Sequence, residues 1–328
     1  MEDAIITVEN LRKEFRIPRR RPGFLGTLRS LLSPEYEVRT AVDGISFTIR
    51  RGELVGYIGP NGAGKSTTIK ILTGIMVPTS GRVVVDGLVP YERRVENARR
   101  IGVVFGQRTQ LWWDLPTIDS FELLRHIYRI PAGVYKQNLE LFTDLLGLGE
   151  FLNTPVRQLS LGQRMRADLA AALLHNPRLV YLDEPTIGLD VVAKERIRRF
   201  IKEINRERGV TIILTTHDMQ DVEKLCERMI LIDHGRVVYD GPVEEVKRRF
   251  GRHRILVVDL EGAPEEVSVE GAEVIRRENG RVWLRFNRDE ISAAQLIHRV
   301  GQRYNIVDLT LEEPEIEGII ARIYEEGM

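Results

Sequence analysis

Gly59-Pro60-Asn61-Gly62-Ala63-Gly64-Lys65-Ser66-Thr67 fits G-x-x-x-x-G-K-[ST] and directly follows a short apolar run, Leu54–Ile58. The glycine-rich segment reads as a tight turn between a buried strand and a helix expected over 65–73. Glycines in such a turn let successive backbone N–H groups point inward at an anion, where side chains would block the approach. The helix that follows adds the positive end of its dipole. Lys65 is placed for the β- and γ-phosphates of a nucleotide, and the Ser66 hydroxyl for magnesium. An ordinary glycine-rich turn is the alternative, and it leaves the flanking strand and helix without a reason.

The apolar pattern alternates around this loop. Ile5–Val8, Ile45–Ile49, Gly81–Val85, Leu179–Leu182, Val210–Thr215, Met229–Ile232 and Arg236–Val238 read as strands, and Ala193–Arg208 and Asp218–Cys226 as helices. From about residue 117 to 178 the spacing is mostly helical, with Pro131, Gly133, Gly147 and Gly149 as breaks. Apolar strands alternating with amphipathic helices predict a parallel sheet covered on both faces. Near residue 250 the pattern changes. Ile255–Leu260 and Arg281–Phe286 alternate with period two, Asn279-Gly280 supplies a hairpin turn, and Ile291–Val300 and Ile316–Tyr324 have helical spacing. The chain is therefore expected to divide into an α/β domain over 1–250 and a small α+β domain over 251–328.

Composition narrows the function. A length of 328 residues suits two domains. With 48 basic and 48 acidic residues the net charge is zero, which argues against a general nucleic-acid binder. No apolar run reaches the roughly 20 residues a membrane helix needs. Met1-Glu2-Asp3-Ala4 is acidic where a signal peptide would be basic, so the chain is expected to stay in the cytosol. Cys226 is the single cysteine and reads as a small buried hydrophobe.

Leu179-Val180-Tyr181-Leu182-Asp183-Glu184-Pro185 is an apolar strand ending in two acids. Asp183 is suited to hold magnesium through water. Glu184 lies one residue further, where open α/β sheets present ligands, and can polarise an attacking water as general base. Upstream, Leu159-Ser160-Leu161-Gly162-Gln163 opens a helix, for which Ser160 is a natural cap. Downstream, Thr215-Thr216-His217-Asp218 follows another buried strand.

Phosphate loop, capped segment, acidic pair and histidine, in that order over roughly residues 5–245, resemble the ABC (ATP-binding cassette) transporter ATPases. The resemblance implies a P-loop NTPase core with a helical subdomain at about 107–178, ATP and Mg2+ as cofactors, and ATP hydrolysis that powers a separate transmembrane permease. Gly59 to Thr67 match the family's nucleotide loop. Ser160, Leu161, Gly162 and Gln163 match its signature, which binds the γ-phosphate held by the opposite subunit, although Leu161 stands where a second glycine is usual. His217 matches the switch histidine that holds Glu184 in line, and Gly188-Leu189-Asp190 the D-loop at the dimer interface. The implied assembly is a head-to-tail dimer, of this chain or with a related one, on the cytoplasmic face of the membrane. The tail, through Asp308–Glu317, resembles the ferredoxin-like regulatory domains of exporter-type members, which favours export. An ABC ATPase acting on ribosomes or DNA is the alternative, although those usually carry two cassettes or a coiled-coil insertion.

Other positions stay open. The family pattern puts glutamine directly after Phe105, whereas this chain has Gly106 and then Gln107. Gln107 is assigned the magnesium and water contact, with Gln110 as the other candidate. Trp112 and Trp113 either receive a permease helix or belong to the core of the helical subdomain. For the aromatic residue stacking on adenine, Tyr36 keeps the usual distance from the phosphate loop, whereas Phe15 directly ends the first strand. Between them an insertion, about 16–39, has five arginines (Arg16, Arg19, Arg20, Arg21 and Arg29) before its first acid, Glu35. Phe24, Leu25, Leu28, Leu31 and Leu32 would share one face of a helix, suited to an anionic membrane surface, a permease or the sheet edge.

Overall fold

The computed structural model describes residues 3–18, 36–106, 108–251, 253–262, 266–313 and 316–326. The chain forms two compact units, Met1–Asp240 and Gly241–Met328.

The first unit holds two sheets. Strands β1 (Ala4–Pro18), β2 (Tyr36–Arg50) and β4 (Ser80–Val85) make an antiparallel sheet in the order β2-β1-β4, with β3 (Leu54–Ile58) and helix α1 (Lys65–Leu72) between β2 and β4 in the chain. The other sheet has six strands. After α2 (Arg94–Arg100) come β5 (Ile101–Phe105), the helices α3 (Thr117–Tyr128), α4 (Ala132–Leu146) and α5 (Leu161–Leu173), then β6 (Leu179–Asp183). Helix α6 (Val191–Arg208), β7 (Thr211–Thr215), α7 (Met219–Leu225), β8 (Arg228–Asp233) and β9 (Arg236–Pro242) follow. The strand order is β5-β6-β7-β3-β8-β9, and β5 through β8 pair in parallel. As near-continuous apolar runs predict, β3, β7 and most of β6 are buried on both faces. The sheets meet through one core that includes Ile6, Val42, Tyr57, Ile69, Tyr181 and Ile230.

Local chemistry sets several boundaries. Gly147 ends α4 in the left-handed conformation, as a C-terminal cap requires. Gly133, expected as a break, lies inside the first turn of α4, where the N–H groups need no helical partner. Strands β1 and β2 run further than their apolar cores suggest. Arg16 pairs with Val38, Ile17 with Glu37 and Pro18 with Tyr36, so residues 16–18 and 36–39 of the expected insertion are ladder and not helix. The apolar face from Phe24 to Leu32 lies outside the described residues.

The second unit contains α8 (Val243–Phe250), β10 (His253–Leu260), β11 (Glu273–Glu278), β12 (Arg281–Asn287), α9 (Ala293–Arg303), β13 (Ile306–Glu312) and α10 (Ile316–Glu326). Its sheet is antiparallel in the order β11-β12-β10-β13. That is the order of a ferredoxin-like β-α-β-β-α-β sheet, with α9 as the second crossover. Where the first crossover helix would stand, the described residues between β10 and β11 form no helix, and Val267 and Val269 enter the core instead. Asn279 and Gly280 join β11 to β12 at positive φ, 48° and 86°, as a two-residue hairpin turn needs.

The units divide after Asp240, ahead of the expected boundary at 250, because α8 packs against α10. Val243 and Val246 of α8 are buried. A chain cut after Phe250 keeps α8 without the α10 helix it packs on, whereas one cut after Asp240 lacks both. The shorter fragment is expected to melt cooperatively and stay monodisperse, and the longer one to bind a hydrophobic dye and self-associate. Calorimetry and light scattering on the two fragments check this.

Candidate functional site

Parallel pairing lines up the strand ends. Phe105 of β5 pairs with Asp183 of β6, and Asp183 with Thr215 of β7. Strand β3, the next neighbour, ends at Ile58. The residues after these four positions leave the sheet at one level, on the carboxyl side where open α/β sheets bind ligands. A cleft of about 1090 Å³ lies there, and Gly62, Gly64, Lys65, Ser66, Asp183, Glu184 and His217 are among its lining residues.

The phosphate loop is wedged against β2. Gly64 has φ 106°, and a Cβ there would stand 2.4 Å from the Ala41 carbonyl oxygen, so only glycine fits. Lys65 Nζ donates to the carbonyl oxygens of Gly59 at 2.5 Å and Pro60 at 3.0 Å. Burial lowers the Lys65 pKa, while the Glu184 and Asp183 carboxylates oppose the shift. The ammonium is therefore held over its own loop, facing the acids across the cleft.

Thr215 Oγ1 donates to Asp183 Oδ1 at 2.5 Å, which orients that carboxylate. Glu184 adopts a left-handed backbone, φ 53°, rare for a side chain of its size and common where geometry is imposed by function. Its N–H donates to the Thr215 carbonyl at 2.8 Å. Glu184 Oε1 lies 3.0 Å from His217 Nδ1, within hydrogen-bond reach. A carboxylate so held can take a proton from a water whose position the imidazole helps to fix. Ser66 and Asp183 supply the hard oxygen donors that magnesium prefers.

Several expectations change here. Phe15 lines the cleft, and Tyr36 does not. Phe15 pairs with Arg39 and Ile17 with Glu37, so Phe15, Ile17 and Arg39 share one face, while Tyr36, opposite Pro18, belongs to the other. Tyr36 is 56% exposed. Gln107 lies outside the described residues. Gln110 faces α5, donating from Nε2 to the Asp168 carbonyl at 3.1 Å, and is not among the cleft's lining residues. Arg39, Lys70 and Arg108 are lining cations that sequence reasoning missed. Arg39 carried no signal, because it fell within the expected insertion.

Gly106 explains the displaced glutamine. Its N–H donates to the Asp183 carbonyl at 2.8 Å. A Cβ there would stand 2.7 Å from that oxygen and 2.8 Å from the Glu184 carbonyl oxygen, so no larger residue fits directly after Phe105. Trp112 and Trp113, 39% and 50% exposed, are not core, and Leu111, 5% exposed, anchors their loop instead.

Ser160 caps α5. Its Oγ accepts from Gln163 N at 3.2 Å, and Gln163 Oε1 accepts from Ser160 N at 2.9 Å. The hydroxyl proton remains available to a ligand. Ser160, Leu161, Gly162 and Gln163 do not line this cleft. Leu161 packs on Gly188, its Cδ2 only 3.0 Å from where a Cβ would sit, and a Cβ on Gly162 would meet Ala193 and Leu189 at 3.7 Å. Asp190 caps α6, accepting from Ala193 N at 2.8 Å.

Comparison with known proteins agrees with this geometry. Residues 42–187 match the family model described as "ABC transporter", and residues 241–319 that of "ATP-binding protein DrrA1-3-like, C-terminal domain". The linearmycin resistance ATP-binding protein LnrL of Bacillus subtilis (strain 168) is 30% identical, covering 88% of this chain and 94% of its own. The chain belongs to the ABC transporter ATP-binding proteins. The ATP-binding protein NatA of the same organism is 34% identical over 64% of this chain and 85% of its own. A solved dimeric ATP-binding cassette, MJ0796 in a post-hydrolysis state with ADP and Pi, is 28% identical with TM-score 0.60, covering 73% of this chain and 98% of that one. This chain is thus an ATP-binding, ATP-hydrolysing transporter subunit, and the ribosome- or DNA-acting alternative is not favoured.

Away from the cleft's lining residues, this ABC ATPase buries the Asp168 carboxylate. Asp168 of α5 accepts at Oδ1 from Thr109 Oγ1 at 2.8 Å and from Gln110 N at 3.1 Å. Burial pushes its pKa up to about 6, against the lowering effect of these hydrogen bonds and of Arg164. The folded chain then keeps a proton that the unfolded chain releases near its ordinary 3.8. The stability this group contributes is full below that value and is lost as pH rises through about 6, at most about 3 kcal/mol. Asp168→Asn keeps the Oδ1 acceptor without the charge. The variant is expected to lose less stability than wild type across this window and to melt higher at alkaline pH, which denaturation at a series of pH values checks.

Proposed function

We propose that the cleft binds ATP with magnesium, and that Glu184 activates the water that attacks the γ-phosphate. Lys65 would meet the β- and γ-phosphates, and the loop from Gly59 to Thr67 would supply backbone donors. Ser66 and Asp183, with Gln107, would hold magnesium, which would neutralise the charge that develops as the phosphate bond breaks. The adenine ring would lie on Phe15. The observation that carries this reading is the contact of Glu184 Oε1 with His217 Nδ1, 3.0 Å apart, on the same cleft wall as Asp183.

Two such cassettes would pair head to tail, each cleft closed by the other's Ser160–Gln163 segment, with Asp190 near the seam. The position of that segment away from its own cleft supports the pairing, and so does the N-terminus of α5, whose backbone donors favour an anion. The exposed Trp112 and Trp113 offer an apolar surface to permease subunits, which would seat the chain on the cytoplasmic face of the membrane. Among the described residues no helix is long and apolar enough to cross a membrane. Export is the favoured direction, because relatives are named for linearmycin resistance and for Nod factor export. No role in nucleic-acid binding is expected.

Glu184→Gln tests the mechanism. The amide keeps the shape but cannot take the proton, so ATP binding survives while turnover falls about a hundredfold to ten-thousandfold. With the γ-phosphate kept intact, ATP and magnesium should hold two chains together on size-exclusion chromatography. Adding Ser160→Arg should abolish that dimer and leave ATP binding in place. Normal turnover by Glu184→Gln would assign the base elsewhere, and a variant that binds ATP yet stays monomeric would count against the head-to-tail pair.

A further inference from the structure

Among the described charged residues, Asp221 of α7 and Arg198 of α6 are the least exposed, at 0% and 5%. Arg198 Nε donates to Asp221 Oδ1 at 2.6 Å, and Thr186 Oγ1 donates to Asp221 Oδ2. Beside them Lys194 Nζ donates to Asp218 Oδ2 at 2.5 Å, and the Arg198 guanidinium stands 3.8 Å from the same oxygen. None of these residues lines the cleft.

A buried ion pair is a poor stability device, since apolar side chains of similar volume often serve as well or better. Its value is position. Thr186 lies two residues beyond Glu184, and Asp218 directly follows His217. Between Glu184 and Asp190 the other backbone hydrogen bonds are long, with the N–H groups of Ile187 and Leu189 each 3.3 Å from their acceptors. The Thr186 hydroxyl bond therefore secures the loop that leaves Glu184. On the histidine side, Asp218 caps α7 through Gln220 N at 3.1 Å and is tied to α6 by Lys194.

We infer that Asp221 is the common anchor that sets the separation of Glu184 from His217. Thr186 is the positioning residue on the glutamate side, while Arg198 and Lys194 fix the histidine side onto α6. Both halves of the Glu184–His217 contact then hang from one helix, which begins immediately after Asp190. A shift of α6 would move Glu184 and His217 together and keep their spacing. Loss of the Thr186 bond would free one against the other.

This inference rests on Glu184 being the base, so Glu184→Gln is measured beside the positioning variants. Steady-state hydrolysis by the full chain is compared for wild type, Thr186→Val and Thr186→Ser, with binding of radiolabelled ATP followed separately. Valine keeps the shape of threonine without the hydroxyl. It is expected to lower kcat about tenfold to a hundredfold, the scale of a small misplacement of a reacting group. KM and ATP binding should stay within about twofold of wild type, the split expected when only the transition state is affected. Serine restores the hydroxyl and should restore kcat. A general loosening would move kcat and KM together and resist rescue by serine, which would overturn the inference. Wild-type kcat in Thr186→Val beside an inactive Glu184→Gln would also overturn it while leaving the base assigned, whereas an active Glu184→Gln would remove the reading beneath both. Should Thr186→Val fail to fold, Arg198→Met with Asp221→Leu replaces the ion pair by apolar side chains. That double variant is expected to keep its melting temperature and lose kcat to a similar degree, and an unchanged kcat would refute the anchor.

Discussion

The registration of β5, β6 and β7 is the constraint from which the cleft follows. Parallel hydrogen bonding puts Phe105, Asp183 and Thr215 on one line, so Gly106, Glu184 and Thr216 leave the sheet side by side. Because side chains alternate, a slip of β6 by one residue would send Asp183 to the face that Glu184 now takes. Buried apolar residues resist such a slip. Val180, Leu182, Ile212 and Leu214 are each at most 2% exposed, and full burial of one such side chain is worth about 1.5–3 kcal/mol. The core therefore fixes the chemistry's geometry without contributing an atom to it.

The two departures from the family pattern have local causes. At Gly106 the chain crosses so close to the Asp183 and Glu184 carbonyls that a Cβ has no room. At Leu161 an isobutyl group replaces a hydrogen atom. Its Cδ2 settles over Gly188, whose own missing side chain leaves the space. The start of α5 is thereby packed onto the segment that leads into α6, so the two helix N-termini are linked through Leu161, Gly188 and Leu189. The larger residue at one glycine position is matched by a glycine opposite.

What was legible in the sequence was what short-range chemistry dictates. The phosphate loop, the acids at the end of an apolar strand, the Ser160 cap and the Asn279-Gly280 hairpin each need particular residue types at adjacent positions. What stayed illegible depends on pairing across the chain. Phe15 and Tyr36 could be ranked only once the β1–β2 ladder showed which of them shares a face with Arg39. Asp221, inside an amphipathic helix, looks like any solvated acid until Thr186 and Arg198 are found beside it. Likewise α8, charged in sequence, follows the second unit because it packs on α10.

Charge balance explains why a cassette of this kind would work with a metal and a second copy. Within the cleft, Asp183 and Glu184 face Lys65, and Arg39, Lys70 and Arg108 also line it. Burial makes an uncompensated Lys65 charge unfavourable, and the two carboxylates are what sustain it. A triphosphate entering on the proposed reading brings several negative charges toward those same carboxylates. The loop's backbone donors and one ammonium offset part of that repulsion, and a divalent ion between Asp183 and the phosphates would offset more. The γ-phosphate, farthest from the loop, would still need donors on its open side. Ser160 and the first turn of α5 are donors of that kind, yet they lie outside their own cleft. On the proposed reading a second chain would present them where the first cannot, so closure of the site and pairing of the cassettes would be one event, reversed when the γ-phosphate is cleaved and its charge leaves.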